Sequence, residues 1–377
     1  MPYSISSSES EWVNIVYEKL LAKISQECDR MGDKIPYIAS EGKYIDYGEQ
    51  DISFWTNGFW AGILWQMYAA TGDEKYRKSA VGVEQRLDVA MIEFNGLHHD
   101  VGFMWLHTAV ANYRLTGNET AKLRAMHAAN LLTGRYNVNG RYISAWNENR
   151  PGWMIIDCLM NLPLLYWAAE ESQDPRYLHV ANNHIDTTIK LLIRPDGSAH
   201  HIAVLDPMNG QLQEHPAGQG YASGSSWSRG QAWTIYGFAM NYHHTGDPRY
   251  LDIAKSTAHY FLANISQTGY IPRVDFRAPT QPEQWDTTAG VCAACGMLEL
   301  SKHVEDYEKQ LYINGALSIL RAIEENYCDW NVETDGIVGG GTVAYHREEE
   351  TNVPIIYGDY FLLEAITRLK GNGFFIW

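Results

Sequence analysis

The chain has 377 residues and is 45% hydrophobic, long enough to bury a sizeable core. Its formal net charge of −16 would repel phosphates, so no nucleic acid is expected as a partner. The five cysteines are scattered and odd in number, the start lacks a basic-then-apolar leader, and the longest apolar stretch (153–169) carries Asp, Asn and Pro. These features read as a reduced, cytoplasmic protein with no membrane partner.

The elements follow an alternation. "WVNIVYEKLLAKISQE" (12–27) is an amphipathic helix, and "NGFWAGILWQMYAA" (57–70) is apolar on most sides, as in a helix buried all round. "TGDEKYRKSA" (71–80) then supplies a turn, an acidic cap and a second amphipathic helix. The same punctuation returns in "TGNETAKLRA" (116–125), "SQDPRYLHVA" (172–181), "TGDPRYLDIA" (245–254) and, more loosely, "VEDYEKQLYI" (304–313). Each follows an apolar helix rich in Gly, Ala and aromatics, at 101–115, 153–169, 229–243 and 287–301, and a sixth at 357–370 closes the series. Six buried helices paired with six amphipathic ones predict an all-α (α/α)6 double toroid, one domain over residues 1–377. Strand-like pieces, "RYISAW" (141–146) and "SAHHIAVLD" (198–206), fall in its loops. Long, irregular spacing disfavours an open solenoid. The loops at 214–226 and 336–346 lead towards inner-helix N-termini, so one mouth should collect them and hold the site.

Asp157 is the first candidate for chemistry. Arg150-Pro151-Gly152 is expected to start the third inner helix, which places Asp157 inside it among Ile155, Ile156, Cys158 and Leu159. Burial should raise its pKa and ready it to give and take a proton; the alternative is a structural Asp tied to Asn161. Asp100 follows His98 and His99 at the start of an inner helix, where capping and catalysis both stay open. Asp286 and Asp359, at similar starts, read as caps. Adjacent helical residues diverge by roughly 100°, so His98, His99 and Asp100 are not expected to converge on a metal. Cys292 and Cys295 read as buried thiols rather than ligands.

In "SSWSRGQAW" (225–233), Arg229 and Trp233 stand one helical turn apart. Such a pair suits a sugar bearing a carboxylate: the guanidinium forks the anion and the indole stacks on the ring. The alternative is an arginine whose stem snorkels from the core. Trp55, Phe59 and Trp146 add aromatic surface at other inner-helix entrances. A sugar epimerase or a non-catalytic sugar-binding barrel would suit the same toroid.

"LHHDVGF", "IIDCLMNLPLL", "SSWSRGQAWTIYGFAM" and "YGDYFLLEA", in this order, resemble the unsaturated glucuronyl hydrolases, from about Trp55 to the end of the chain. The related unsaturated rhamnogalacturonyl hydrolases share the toroid and the two aspartates, while HHD and SRGQAW favour the glucuronyl branch. The resemblance implies a glycoside hydrolase that hydrates the C4=C5 vinyl ether of the Δ4,5-unsaturated uronate which polysaccharide lyases leave at a non-reducing end. It implies no metal or cofactor, and a monomer or weak homo-oligomer that takes an unsaturated-uronate oligosaccharide of glycosaminoglycan type. Asp157 matches the general acid/base and Asp100 the second essential carboxylate. His201, Gln219, Arg229 and Trp233 match substrate-binding positions, Arg229 as carboxylate partner; His99, Trp55, Phe59 and Trp146 match pocket-lining ones. Two departures stand out. Family members that prefer sulfated fragments carry Ser-x-x-Ser-x-Lys in the late loop, where this chain reads "YHREEETNVPIIYGDY", so sulfated substrates are expected to be disfavoured. "LQEHPAGQGYASG" also departs from the family pattern around Gln219.

Overall fold

The computed structural model describes residues 3–147 and 149–377. Its fourteen helices, in chain order, are α1 (Ser7–Met31), α2 (Phe59–Thr71), α3 (Glu74–Arg86), α4 (Asp88–Glu93), α5 (Val101–Trp105), α6 (Ala111–Thr116), α7 (Glu119–Gly134), α8 (Pro163–Ser172), α9 (Arg176–Leu191), α10 (Ser228–Thr245), α11 (Pro248–Ile265), α12 (Thr287–Leu300), α13 (Asp306–Tyr327) and α14 (Ile356–Lys370). Contacts close an inner ring: α2 packs on α6 and α14, α14 on α12, α12 on α10, α10 on α8, and α8 on α5. An outer layer of α1, α3, α7, α9, α11 and α13 backs it. This is the (α/α)6 toroid that the alternation predicts.

The two layers differ in how the helices bury themselves. Every residue of α12 is buried, as is every residue of α2 from Phe59 to Met67. In α1 the buried apolar residues instead run Val13, Val16, Tyr17, Leu20, Ile24, Cys28 and Met31, one stripe at spacings of three and four. The turn punctuation caps three of the five outer helices it precedes, whereas the N-cap residues of α9 and α13, Pro175 and Glu305, make no side-chain cap bond. Asp73, Asn118 and Asp247 each accept backbone N–H bonds at the starts of α3, α7 and α11. The glycine before Asp73 ends α2 at φ 72°, a left-handed conformation that side chains disfavour.

Two inner helices depart from expectation. The second is not continuous, because a π turn at Leu106–Val110 separates α5 from α6. The third does not begin at Arg150-Pro151-Gly152. Among the described residues, seven short strands lie in the loops: β1 (Ala39–Ser40), β2 (Lys43–Tyr44), β3 (Tyr136–Asn137), β4 (Tyr142–Ile143), β5 (Trp153–Ile155), β6 (Ile202–Leu205) and β7 (Leu212–Glu214). Met154 of β5 pairs with Ala203 of β6, which draws residues 153–155 into an antiparallel sheet. A 3-10 turn, Ile156–Met160, follows, and α8 starts only at Pro163, which occupies its first turn. Asp157 therefore stands on a 3-10 turn behind a strand, not inside an α-helix. Among the described residues, no helix is long and apolar enough to cross a membrane.

Candidate active site

The loops before the inner helices enclose a cavity of about 470 Å³. Trp55, Trp146, His201, Gln219 and Arg229 line it, together with Pro216 and Gly218 of the first long loop and Val343 and Ala344 of the second. The mouth predicted for the 214–226 and 336–346 loops is present.

Asp157 lies beside this cavity. Its side chain is 14% exposed, and its Oδ1 stands 3.6 Å from Nε2 of the cavity-lining His201. The strands set this proximity, since Ile155 pairs with Ile202 and the Ile156 N–H donates to the His201 carbonyl at 3.0 Å. Neither Asp157 Oδ1 nor His201 Nε2 has a hydrogen-bond partner. Burial pushes the Asp157 carboxyl up to about 7, against the opposing pull of Arg229 and the Trp233 indole. Burial also holds His201 down at about 3, so the imidazole is neutral. Its Nδ1 accepts the Gln219 N–H at 3.0 Å, which leaves the ring proton on Nε2, facing Asp157. Gln219 is fixed in turn by its own Nε2, which donates to the Val343 carbonyl at 2.7 Å.

Asp100 belongs to the same cluster. It precedes α5 yet caps nothing with its side chain. Its Oδ1 accepts the Asn161 Nδ2–H at 3.1 Å, and the same amide reaches the Asp157 carbonyl at 3.3 Å. Asn161 Oδ1 accepts the Phe103 N–H at 2.7 Å, so one buried amide joins both aspartates to α5. The approach is close: a Cβ on Gly102 would stand 2.5 Å from the Asn161 Cα. The Asn161 tie expected for Asp157 thus exists, but through the Asp157 backbone carbonyl and not through its carboxyl. Burial, reinforced by the charge of Asp157, raises the Asp100 carboxyl well above the ordinary range. His99 Nδ1 donates to the Ala145 carbonyl at 2.6 Å, which leaves Nε2 as a bare acceptor 3.1 Å from Asp100 Oδ1. A protonated carboxyl beside an unprotonated nitrogen is the favoured state of this pair.

The expected divergence of His98, His99 and Asp100 does not arise, because the three occupy a turn ahead of α5. Their ligand-type atoms lie within 4.8 Å of one another. His99 Nδ1 is committed to Ala145, and both His98 Nδ1 and His99 Nε2 face Asp100.

Arg229 lines the cavity, but much of its guanidinium is committed. Nη1 donates to Asp286 Oδ2 and to the Thr342 carbonyl, and Nη2 to the Val343 carbonyl at 2.7 Å. Asp286 is therefore the counter-ion of Arg229 and not a helix cap. Asp359 likewise caps nothing; it accepts the Ile337 and Val338 N–H groups and the Tyr44 hydroxyl, anchoring the late loop. Trp233 does not line the cavity. It is wholly buried beneath it, against Phe103 and Phe361, so stacking on a sugar is closed to it. Phe59 is also core, packed on Trp55, Phe103 and His107. His99 is buried behind the wall with its ring edge-on to Trp146.

Residues 27–243 match Glycosyl Hydrolase Family 88. The unsaturated glucuronyl hydrolase of Bacillus sp. (strain GL1) is 36% identical over 90% of this chain and 92% of that protein. The chain belongs to the unsaturated glucuronyl hydrolases of Glycosyl Hydrolase Family 88. The solved structure of the Bacillus sp. GL1 enzyme, described as responsible for glycosaminoglycan degradation, superposes with a TM-score of 0.89 at 35% identity, covering 94% of this chain and 96% of that one. A mutant Streptococcus agalactiae unsaturated glucuronyl hydrolase in complex with dGlcA-GalNAc6S superposes with a TM-score of 0.84 at 29% identity, covering 98% and 94%.

Sequence reasoning missed several residues of this cavity and its surroundings. Trp153, Arg150 and Tyr357 line the cavity, and Asn161 bridges the aspartates. Tyr357 opens the "YGDYFLLEA" stretch, so its place at an inner-helix start was a readable signal. Trp153 was read as helical, and the strand that turns it into the cavity wall is set by β6.

Proposed function

We propose that the protein removes the Δ4,5-unsaturated uronate from the non-reducing end of lyase-generated, glycosaminoglycan-type oligosaccharides by hydrating the C4=C5 double bond. One observation carries this reading: a carboxyl only 14% exposed, with a pKa raised to about 7, stands 3.6 Å from the cavity-lining His201. A vinyl ether needs a proton on one carbon and water on the next, and such a group can supply both services.

Protonated Asp157 gives its proton to C4, and positive charge develops at C5 and the ring oxygen. The resulting carboxylate takes a proton from the water whose oxygen bonds to C5, which returns Asp157 to its starting state. The product hemiketal opens and releases the remaining sugar. Neutral His201 directs its Nε2–H at the reacting region as a donor, and Gln219 holds its tautomer. Asp100 and Asn161 position Asp157 from behind, and the Asp100 carboxyl holds a ring hydroxyl. Arg229 contributes positive charge near the uronate carboxylate, tempered by Asp286. Trp55 and Trp146 offer flat apolar surface to the sugar rings.

Incubation with an unsaturated chondroitin disaccharide is expected to erase the ultraviolet absorbance of the conjugated double bond. Persistence of that absorbance, with the sugar unchanged, would reject the reading.

A further inference from the structure

Three arginines line the cavity, and their counter-ions differ. Arg229 is paired with Asp286, and Arg347 on the late loop with Glu350 at 2.9 Å. Arg150 is exposed, and among the described residues no carboxylate pairs with it. Its guanidinium carbon lies 5.3 Å from the Trp146 ring centre and 5.1 Å from that of Trp153, both cavity walls. In a chain of net charge −16, a cation held on two indoles at a cavity rim, with no carboxylate partner among the described residues, is a local exception.

We propose that Arg150 recognises a sulfate ester on the sugar next to the unsaturated uronate, an inference that rests on the reaction proposed above. The depth of the groups assigns the ends of the substrate. Asp157 feels the charge of Arg229, so the reacting uronate lies at that inner end, with Arg229 as its cation. Arg150 stands at the outer end, where the leaving sugar must lie. The guanidinium held over Trp146 and Trp153 loses little further freedom on binding, and its planar fork presents paired N–H donors to an oxyanion. The late loop, acidic through Glu348, Glu349 and Glu350, lacks the family's serine–lysine motif. Arg150 offers a cation from the loop across the cavity, so the expectation that sulfated sugars are disfavoured, drawn from the late loop alone, is reversed in this proposal.

The test compares kcat/KM for unsulfated, 4-sulfated and 6-sulfated unsaturated chondroitin disaccharides in the native protein, Arg150→Met and Arg150→Lys. Met removes the charge and keeps an unbranched side chain at the rim. The sulfated-to-unsulfated ratio is expected to fall about fivefold or more in Arg150→Met, the scale of one exposed charge-assisted contact, with Arg150→Lys between. Added salt should raise KM for the preferred sulfated sugar in the native protein and flatten in Arg150→Met. A ratio unchanged for both sulfates would overturn the assignment while leaving the hydrolase intact. Loss of turnover by the native protein on all three sugars would instead overturn the reaction, and this assignment with it.

Discussion

Carboxylates are buried at both ends of this barrel, and the two ends treat them in opposite ways. At the C-terminal ends of the inner helices, Arg368 donates to Glu299 and, at 3.1 Å, to Glu364. Lys302 and His303 reach Glu299 at 3.1 and 2.8 Å, and the Trp377 indole reaches Glu364 at 3.0 Å. Burial works against the Glu299 anion, but hydrogen bonds from His243 and His303 and the charges of Arg368 and Lys302 outweigh it, and its pKa falls far below the usual range. At the N-terminal ends, Asp157 has one cation nearby, and Asp286 has already claimed it. Burial then wins and the carboxyl keeps its proton near neutrality. Depth alone does not make a proton donor; the supply of uncommitted cations decides between a structural anion and a reactive acid.

The largest expected effect is on Asp157→Asn, which should lower kcat by about 10²–10⁴-fold in the absorbance assay. Near-native turnover would remove Asp157 from the chemistry. Its stability effect has a definite sign. The folded pKa of about 7 stands above the ordinary 3.8, so the folded state holds the proton longer than the unfolded chain. The stability contributed by this group is full below about pH 4 and is lost as pH rises through about 7. Denaturant midpoints of Asp157→Asn should therefore gain on the native protein across that window. An equal pH slope in the two proteins would contradict the burial effect.

The mirror experiment at the other end is Glu299→Gln. Stripping the partner from Arg368 and the neighbouring cations should cost about 3 kcal/mol of stability while the folded fraction keeps its specific activity. A rate loss without a shift in the denaturation midpoint would break the contrast between the two ends.

Asp286→Asn sharpens the comparison further. Asp157 must be protonated to act, so native kcat should fall as pH rises through about 7. Freeing Arg229 from its counter-ion should favour the Asp157 anion and move this limb to lower pH. An unmoved limb would show that Arg229 does not tune the acid. The smallest effect is expected at the wall, where Trp146→Ala should raise KM about threefold to tenfold with kcat less affected.

Much of the architecture was legible in the chain, because burial patterns are local. An all-apolar helix reads as inner and a striped one as outer, and turn residues mark the boundaries. Asp157 was legible for the same reason, as a carboxyl among apolar neighbours. The misreadings share one cause. The strand that displaces the third inner helix depends on β6, 49 residues after Met154. The counter-ion of Arg229 is 57 residues away. Trp233 lies on the expected face of α10, yet that face turns into the core.

The sequence by itself determined the double toroid, the outer-helix caps at Asp73, Asn118 and Asp247, and the presence of a buried acid near the mouth, since each follows from spacing within one segment. Tertiary structure decided which arginine Asp286 holds, which tryptophan meets the cavity, and how Asn161 ties two aspartates together. Those outcomes depend on which distant segments meet, and electrostatic partnership acts through space over a few ångströms whatever the separation along the chain.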